Sequence, residues 1–177
     1  MPEIILDADA FQNAIDKISR EIFNDNQNIK NLAIVGIQNK GVFLAKRVLR
    51  KIIKLAPGNE ISFGTLDITM HRDDLNNFHS NIHDIKDTVI PFDMSCKNII
   101  LIDDVLYTGR TVRAALDVLM DFGRPKSIQL AVLIDRGFRE LPIEAKYIGV
   151  KYQSKGFIKV ECKEVDGMDK VTVVDLE

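Results

Sequence analysis

The chain of 177 residues is 46% hydrophobic and 28% charged, with a formal net charge of -2. This composition is typical of one folded globular domain, and it excludes both a disordered chain and a polycation that holds nucleic acid by bulk charge. Because no segment has the pattern of a secretory signal and no apolar run is long enough to span a membrane, we expect a cytoplasmic protein without membrane contact.

The first part of the chain alternates between helix and strand patterns. Asp7 or Asp9 is expected to cap a helix in which apolar residues recur at helical spacing. The apolar run Leu32–Ile37 predicts a strand that is buried on both faces. A second helix is expected after Gly41, and residues 61–68 predict a strand nearer to a sheet edge.

The second part begins with a polar segment, residues 72–91, which we expect to be a mobile loop with a functional role because such long irregular segments are unusual in compact domains. Strands are predicted at 98–102 and 127–134, with a helix at 111–122 between them. The alternation predicts an α/β fold in which helices flank an open, mainly parallel sheet. A single domain, 1–177, is expected to end in a small antiparallel annex, or hood, at 146–177, with short strands at 146–150, 157–163 and 170–176.

Residues 99–111 carry the strongest chemical signal. Four apolar residues predict a strand that leads into Asp103 and Asp104, and a short turn with Gly109 leads into a helix whose first turn contains Thr111. In open α/β sheets ligands bind beyond the carboxyl ends of the strands, and the amides at a helix N-terminus bind anions. A pair of carboxylates repels phosphate but accepts hydrogen bonds from hydroxyls. The pattern therefore predicts a ligand with a phosphate at one end and vicinal hydroxyls at the other, as in ribose 5-phosphate.

The alternative without a ligand is a turn at the end of the strand followed by an ordinary helix cap. This alternative accounts for the two acids alone but not for the whole motif at residues 99–111. DDVLYTGRTVRAALD, together with GRPKSIQLAVLIDRGFRELPI, VGIQNKGVFLAKR and DITMHRDDL, resembles the bifunctional pyrimidine operon attenuator/uracil phosphoribosyltransferase family of type I phosphoribosyltransferases. The resemblance spans nearly the whole chain and weakens after Ile148. It implies that Asp103 and Asp104 hold the ribose hydroxyls. The 5-phosphate would be held by Tyr107, Thr108, Gly109, Arg110 and Thr111.

Three further parts of the site follow from turn position, charge and the same resemblance. The turn after the first buried strand is expected to bind pyrophosphate through Gln38, Asn39 and Lys40, with Lys40 supplying charge. Arg72 in the polar loop is expected to stabilise the departing pyrophosphate when the loop closes. The family's base pocket corresponds to Asp135, Arg136 and Gly137. The expected catalytic set is Asp103, Asp104, Arg72 and Lys40.

Several positions depart from the family's pattern. Asn39 and Lys40 stand where Thr-Arg is common, Phe138 where histidine is usual and Glu144 where arginine is usual. The run 150–154 is also changed, and Asp16 adds an acid to the first helix. Since an acid in place of arginine turns attraction for RNA phosphates into repulsion, we do not expect RNA to be the main partner. The changes near the base pocket also weaken the case for uracil.

The sequence thus predicts an enzyme that joins a nucleobase, with uracil the best candidate, to 5-phosphoribosyl-1-pyrophosphate and releases pyrophosphate. Mg²⁺ is expected to bridge pyrophosphate and ribose oxygens, with Asp103 as the candidate protein contact. One alternative is a nucleotide-sensing, RNA-binding regulator of pyrimidine genes with little catalysis. Another is a phosphoribosyltransferase for a purine or another base. The resemblance also implies a homodimer or homotetramer.

Overall fold

The computed structural model describes residues 3–71 and 87–174. Five strands form the central sheet, and every neighbouring pair in it is parallel. They are β2 (Leu32–Ile37), β3 (Ser62–Leu66), β4 (Asn98–Leu106), β5 (Ser127–Asp135) and β6 (Tyr147–Lys151). Their spatial order is β3-β2-β4-β5-β6. The predicted α/β fold with a parallel sheet is therefore confirmed, and β3 lies at an edge as expected.

Three long helices cover the two faces of this sheet: α1 (Ala8–Asp25), α2 (Lys40–Leu55) and α3 (Arg110–Asp121). The structure has two hydrophobic cores. The buried residues of α1 and α2 belong to the first core, and those of α3 belong to the second. Along β4 the side chains alternate between these cores, with Ile100 and Ile102 in the first and Ile99 and Leu101 in the second. This alternation explains why the central strands are apolar at consecutive positions.

The first helix begins where its sequence supplies a cap. The side chain of Asp7 accepts a hydrogen bond from the backbone N–H of Ala10 at 2.8 Å, so Asp7 is the cap, and Asp9 lies in the first turn. Short 3₁₀ turns at Ile29–Asn31 and Thr69–His71 precede β2 and follow β3. No helix within the described ranges is long and apolar enough to cross a membrane.

A smaller antiparallel sheet joins the two ends of the described chain. It consists of β1 (Glu3–Leu6), β7 (Phe157–Glu161) and β8 (Lys170–Val174), in the order β1-β8-β7, with a short helix α4 (Lys163–Asp166) between β7 and β8. We call β7, α4 and β8 the annex. The sequence placed a strand at 146–150 in the annex, and this prediction was wrong. The corresponding strand, β6, pairs in parallel with β5 and belongs to the central sheet. The predicted strand at 157–163 also ends earlier, at Glu161.

The polar segment that follows β3 is described only at its end. Residues 72–86, including Arg72, lie outside the described residues, so the expected closing loop and the role of Arg72 stay predictions. Val89 pairs with Thr65 of β3 through two backbone hydrogen bonds of 2.8 and 2.9 Å in an antiparallel bridge. The chain therefore returns to the exposed edge of β3 before it enters β4.

Candidate functional site

The two acids of the central motif lie inside β4, close to its carboxyl end, and not in a turn after it. Asp103 is buried and Asp104 is half-buried. One oxygen of Asp103 accepts a hydrogen bond from the N–H of Asp104, and one oxygen of Asp104 accepts from the N–H of Val105, both at 2.9 Å. These contacts fix the orientation of the carboxylates, and a carboxylate has acceptor capacity beyond one bond.

A loop with backbone amides suited to an anion follows these acids directly. Gly109 precedes α3 with a φ of +93° and caps it without a side-chain hydrogen bond. No backbone hydrogen bond outside the helices and strands, within the part of the chain that the structure describes, is donated by the amides of Thr108 or Gly109. The first amides of α3 also lack intrahelical acceptors, and the helix dipole adds a partial positive charge there. The loop at residues 107–111, which we call the anion cradle, is therefore suited to hold an anion next to two carboxylates.

The turn predicted to bind pyrophosphate packs against the same acids. A Cβ atom on Gly41 would lie 2.5 Å from the carbonyl oxygen of Ile102 and 3.2 Å from the Cα of Asp103, so only glycine permits this approach. Just before it, the Gln38–Asn39 peptide is cis, and the N–H of Gln38 donates to the carbonyl of Leu66 at 2.8 Å. The start of α2 and the carboxyl end of β4 thus meet.

The side chain of Lys40 takes a direction that the sequence did not predict. Its ammonium donates to the backbone carbonyl of Val160 and to Asp166 at 3.1 Å, both in the annex. The pKa of Asp166 is held below its ordinary value, first by the backbone N–H of Cys162 and then by Lys40. A contact between Lys40 and pyrophosphate stays a prediction, and it requires the ammonium to leave Asp166.

The loop after β5 brings the predicted base-pocket residues beside the anion cradle. Arg136 is buried, and its guanidinium donates to the carbonyls of Ser154 at 2.9 Å and Lys155 at 2.8 Å. The Arg136 Cζ lies 3.8 Å from the centroid of the Tyr107 ring. The guanidinium therefore has structural partners in this conformation. Gly137, with a φ of +78°, donates its N–H to Asp135 at 3.0 Å.

Two further arginines connect parts of the site: Arg139, which the sequence offers as a candidate for ligand or RNA contact, and Arg47, which sequence reasoning missed. Arg139 contacts the backbone of both the cradle and the loop after β5. Arg47 on α2 forms ion pairs with Glu164 and Asp169 and so ties the annex to the helix that begins with Lys40. The ion pair of Arg139 with Asp135 joins residues four positions apart, whereas nothing local in the sequence links Arg47 to residues more than a hundred positions away.

The positions that depart from the family's pattern lie mostly on the surface. Glu144 is exposed, Phe138 is 40% exposed with a φ of +55°, and the altered run 150–154 includes Lys151, the last residue of β6. Asp16 forms an ion pair with Lys51 of α2, so its charge is partly balanced inside the chain.

Comparison with known proteins agrees with this architecture. Residues 2–164 match the model of the phosphoribosyl transferase domain. The Bifunctional protein PyrR of Endomicrobium trichonymphae is 73% identical over 176 residues, which cover 98% of this chain and 99% of that protein. The protein of the same name from Deinococcus deserti is 50% identical and is covered to 94%.

Solved structures support the fold at much lower identity. A hypoxanthine phosphoribosyltransferase from Staphylococcus aureus aligns with a TM-score of 0.70 and 22% identity, over 97% of this chain and 92% of that one. A hypoxanthine phosphoribosyltransferase from Trypanosoma cruzi, solved with the product IMP, has a TM-score of 0.70 and 13% identity and covers 97% and 89%. With the domain match and the identities above, the chain belongs to the phosphoribosyl transferase family, among the relatives named Bifunctional protein PyrR.

Proposed function

We propose that this phosphoribosyltransferase joins uracil to 5-phosphoribosyl-1-pyrophosphate and releases pyrophosphate. One observation carries the proposal: Asp103 and Asp104 at the end of β4 lie directly before an amide-lined cradle and against the start of α2. Carboxylates beside an anion site suit a sugar with hydroxyls on one edge and phosphates at two positions. Catalysis would come from positioning and from stabilising the charge of the departing pyrophosphate.

Each part of the site has an assigned role in this proposal. Asp103 and Asp104 accept hydrogen bonds from the ribose hydroxyls, and the amides of residues 107–111 bind the 5-phosphate. The backbone of Gln38 and Asn39, in the turn before Gly41, binds pyrophosphate, with Lys40 contributing charge if it leaves Asp166. Arg72 belongs to this set on sequence grounds alone. Asp135, Arg136 and Gly137 shape the base pocket through their backbone.

Mg²⁺ fits this site as a metal that arrives with the substrate. Within the described ranges, no three acidic, histidine or cysteine side chains come together as a possible metal site. Mg²⁺ in phosphate-handling proteins is commonly held by one or two carboxylates plus substrate oxygens, and Asp103 and Asp104 are the acids placed to contribute. When bound, it would neutralise charge on the diphosphate.

Uracil is the base favoured by the family that the motif resembles. A purine is the competing choice, since the hypoxanthine enzymes have the same fold, but at 22% identity or less they bear on the fold alone. We also propose a cytoplasmic location and a homodimer or homotetramer, in line with the composition and the family resemblance.

The second candidate is a nucleotide-sensing RNA regulator with little catalysis. The name Bifunctional protein PyrR of the relatives favours a second activity. The exposed acid Glu144 opposes it, because RNA contact depends on positive charge.

The test is release of pyrophosphate from 5-phosphoribosyl-1-pyrophosphate with uracil, cytosine, hypoxanthine, guanine and adenine, with and without Mg²⁺. Uracil should support turnover, and Asp104→Asn should lower it by about a hundredfold or more while the fold stays intact. If no base supports turnover while 5-phosphoribosyl-1-pyrophosphate still binds, the transferase proposal is wrong. If only a purine supported turnover, the purine would replace uracil as the proposed base, and the proposed reaction, phosphoribosyl transfer, would remain.

A further inference from the structure

We infer that Arg139 is a positioning residue, which orients the amides of the anion cradle and couples the cradle to the loop after β5, which we call the base loop. The inference rests on the proposed function, since it assigns a role within the same site. The side chain of Arg139 is 21% exposed. Its guanidinium reaches two segments that are more than twenty residues apart in the chain.

On the cradle side, Nη1 of Arg139 donates to the carbonyl of Tyr107 at 2.8 Å and makes a longer contact of 3.4 Å with the carbonyl of Leu106. The backbone beside Arg139 adds to this, because the N–H groups of Glu140 and Leu141 donate to the carbonyl of Thr108 at 2.9 and 3.1 Å. The carbonyls of Leu106, at the end of β4, and of Tyr107 and Thr108 in the cradle therefore face the segment that contains Arg139.

This arrangement determines where the amides of the cradle point. In a trans peptide the C=O of one residue and the N–H of the next point in opposite directions. Because the carbonyl of Tyr107 faces Arg139, the N–H of Thr108 points away from it, and the N–H of Gly109 points away from Glu140 and Leu141 by the same rule. These are two of the amides assigned to the phosphate. Arg139 thus acts on the anion through the peptide groups and does not contact it.

On the base side, Arg139 is held by residues of the loop after β5. Nη2 donates to Asp135 at 2.5 Å, Nη1 donates to the carbonyl of Gly137 at 3.1 Å, and Nε donates to the carbonyl of Ile143 at 3.0 Å. The same Asp135 oxygen accepts the N–H of Gly137. One planar guanidinium thus joins the end of β4 to the base loop, a geometry that a lysine ammonium does not reproduce.

The experiment compares Arg139→Gln and Arg139→Lys with wild type and with Arg50→Gln, a control on the exposed face of α2. Dissociation constants for ribose 5-phosphate by calorimetry, steady-state constants and melting temperatures are measured for each. Arg139→Gln should weaken ribose 5-phosphate binding and raise the KM for 5-phosphoribosyl-1-pyrophosphate by about tenfold, the size of one well-made charged hydrogen bond. The kcat should change less than KM, and Arg139→Lys should recover part of the loss.

A lowered melting temperature with unchanged ribose 5-phosphate binding would overturn the inference, because Arg139 would then be only structural. If Arg139→Gln does not fold, Arg139→Lys decides: unchanged binding and KM in that variant also overturn it. The calorimetric binding measurement separates this inference from the proposed function. If the wild-type protein binds ribose 5-phosphate but turns over no base, the proposed function is wrong, and the effect of Arg139 on binding can still be tested.

Discussion

The Cζ of Arg136 lies 3.8 Å from the centroid of the Tyr107 ring, so an aromatic residue of the anion cradle covers a buried arginine of the base loop. Tyr107 is itself 40% exposed as a whole residue, so part of it lies at the surface. The contact with Arg136 is a structural reason for an aromatic residue at position 107.

Tyr107→Ala should lower the free energy of unfolding by about 1 kcal/mol, since the cation–π contact and the cover over Arg136 are lost. It should also raise the KM for uracil more than the KM for 5-phosphoribosyl-1-pyrophosphate, because Arg136 belongs to the base loop. Urea unfolding and steady-state kinetics measure the two effects. Tyr107→Phe is the matched control: it keeps the ring and should behave like wild type. An equal loss in both variants would show that the hydroxyl matters and the stacking does not.

Gly41→Ala tests the close packing between the start of α2 and the acids of β4. The new methyl group would meet the carbonyl of Ile102 at 2.5 Å, and since that atom is backbone, the turn or the strand must shift. We expect a loss of about 2 kcal/mol in stability, typical of overpacking, and a larger loss of turnover because Asp103 and the pyrophosphate turn move apart. Lys46→Ala, on an exposed position of the same helix, should change neither quantity. Turnover at the wild-type level in folded Gly41→Ala would show that this spacing is not needed.

Local patterns predicted the parts of the fold and site that depend on neighbours in sequence. The run Leu32–Ile37 became β2 with the predicted bounds, and Asp103 and Asp104 lie at the end of a buried strand before a helix, as their spacing required. The parts that were missed depend on distant pairing. The spacing of apolar residues and the length of the segment identify Tyr147–Lys151 as a strand, but only its pairing with β5 in the fold decides that it runs parallel to the central sheet. The direction of Lys40 depends on Asp166, which no local rule relates to it.

Arg47→Gln tests how the annex is held at different pH values. Hydrogen bonds from Arg47 lower the pKa of Glu164 below its ordinary 4.5. Burial raises the pKa of Asp169, but the hydrogen bonds from Arg47 and from the backbone N–H of Lys163, together with the positive charge of Arg47, hold it below its ordinary 3.8. A depressed pKa in the folded state stabilises the fold above the ordinary pKa, and the gain is lost as pH falls through the folded-state value. The wild-type advantage should therefore be complete near neutral pH and shrink below about pH 4.

At neutral pH the substitution should lower the free energy of unfolding by about 1 to 2 kcal/mol, since Arg47 is only 11% exposed but Glu164 is partly screened by solvent. Urea unfolding of both proteins between about pH 7 and about pH 3 measures the effect. Arg50→Gln, an exposed arginine on the same helix, serves as control. A difference between Arg47→Gln and wild type that stays constant down to the lowest pH would contradict the assignment to Glu164 and Asp169.

Glu144→Arg tests whether the altered surface charge opposes RNA binding. The residue is exposed in the segment between β5 and β6, so the substitution replaces a negative charge with a positive one, and raises the net charge by two, without disturbing the core. Binding of pyrimidine-leader RNA, followed by gel shift with and without uridine monophosphate, should be weak in wild type and several-fold tighter in the variant at about 50 mM salt. The gain in RNA binding should fall at about 200 mM salt, where exposed charges are screened.

Glu60→Arg controls for net charge, because Glu60 is an exposed acid beside β3 at the opposite edge of the sheet. Tight, salt-dependent binding by the wild-type chain would instead favour the RNA regulator, and equal gains in both variants would mean that the position of Glu144 has no special role.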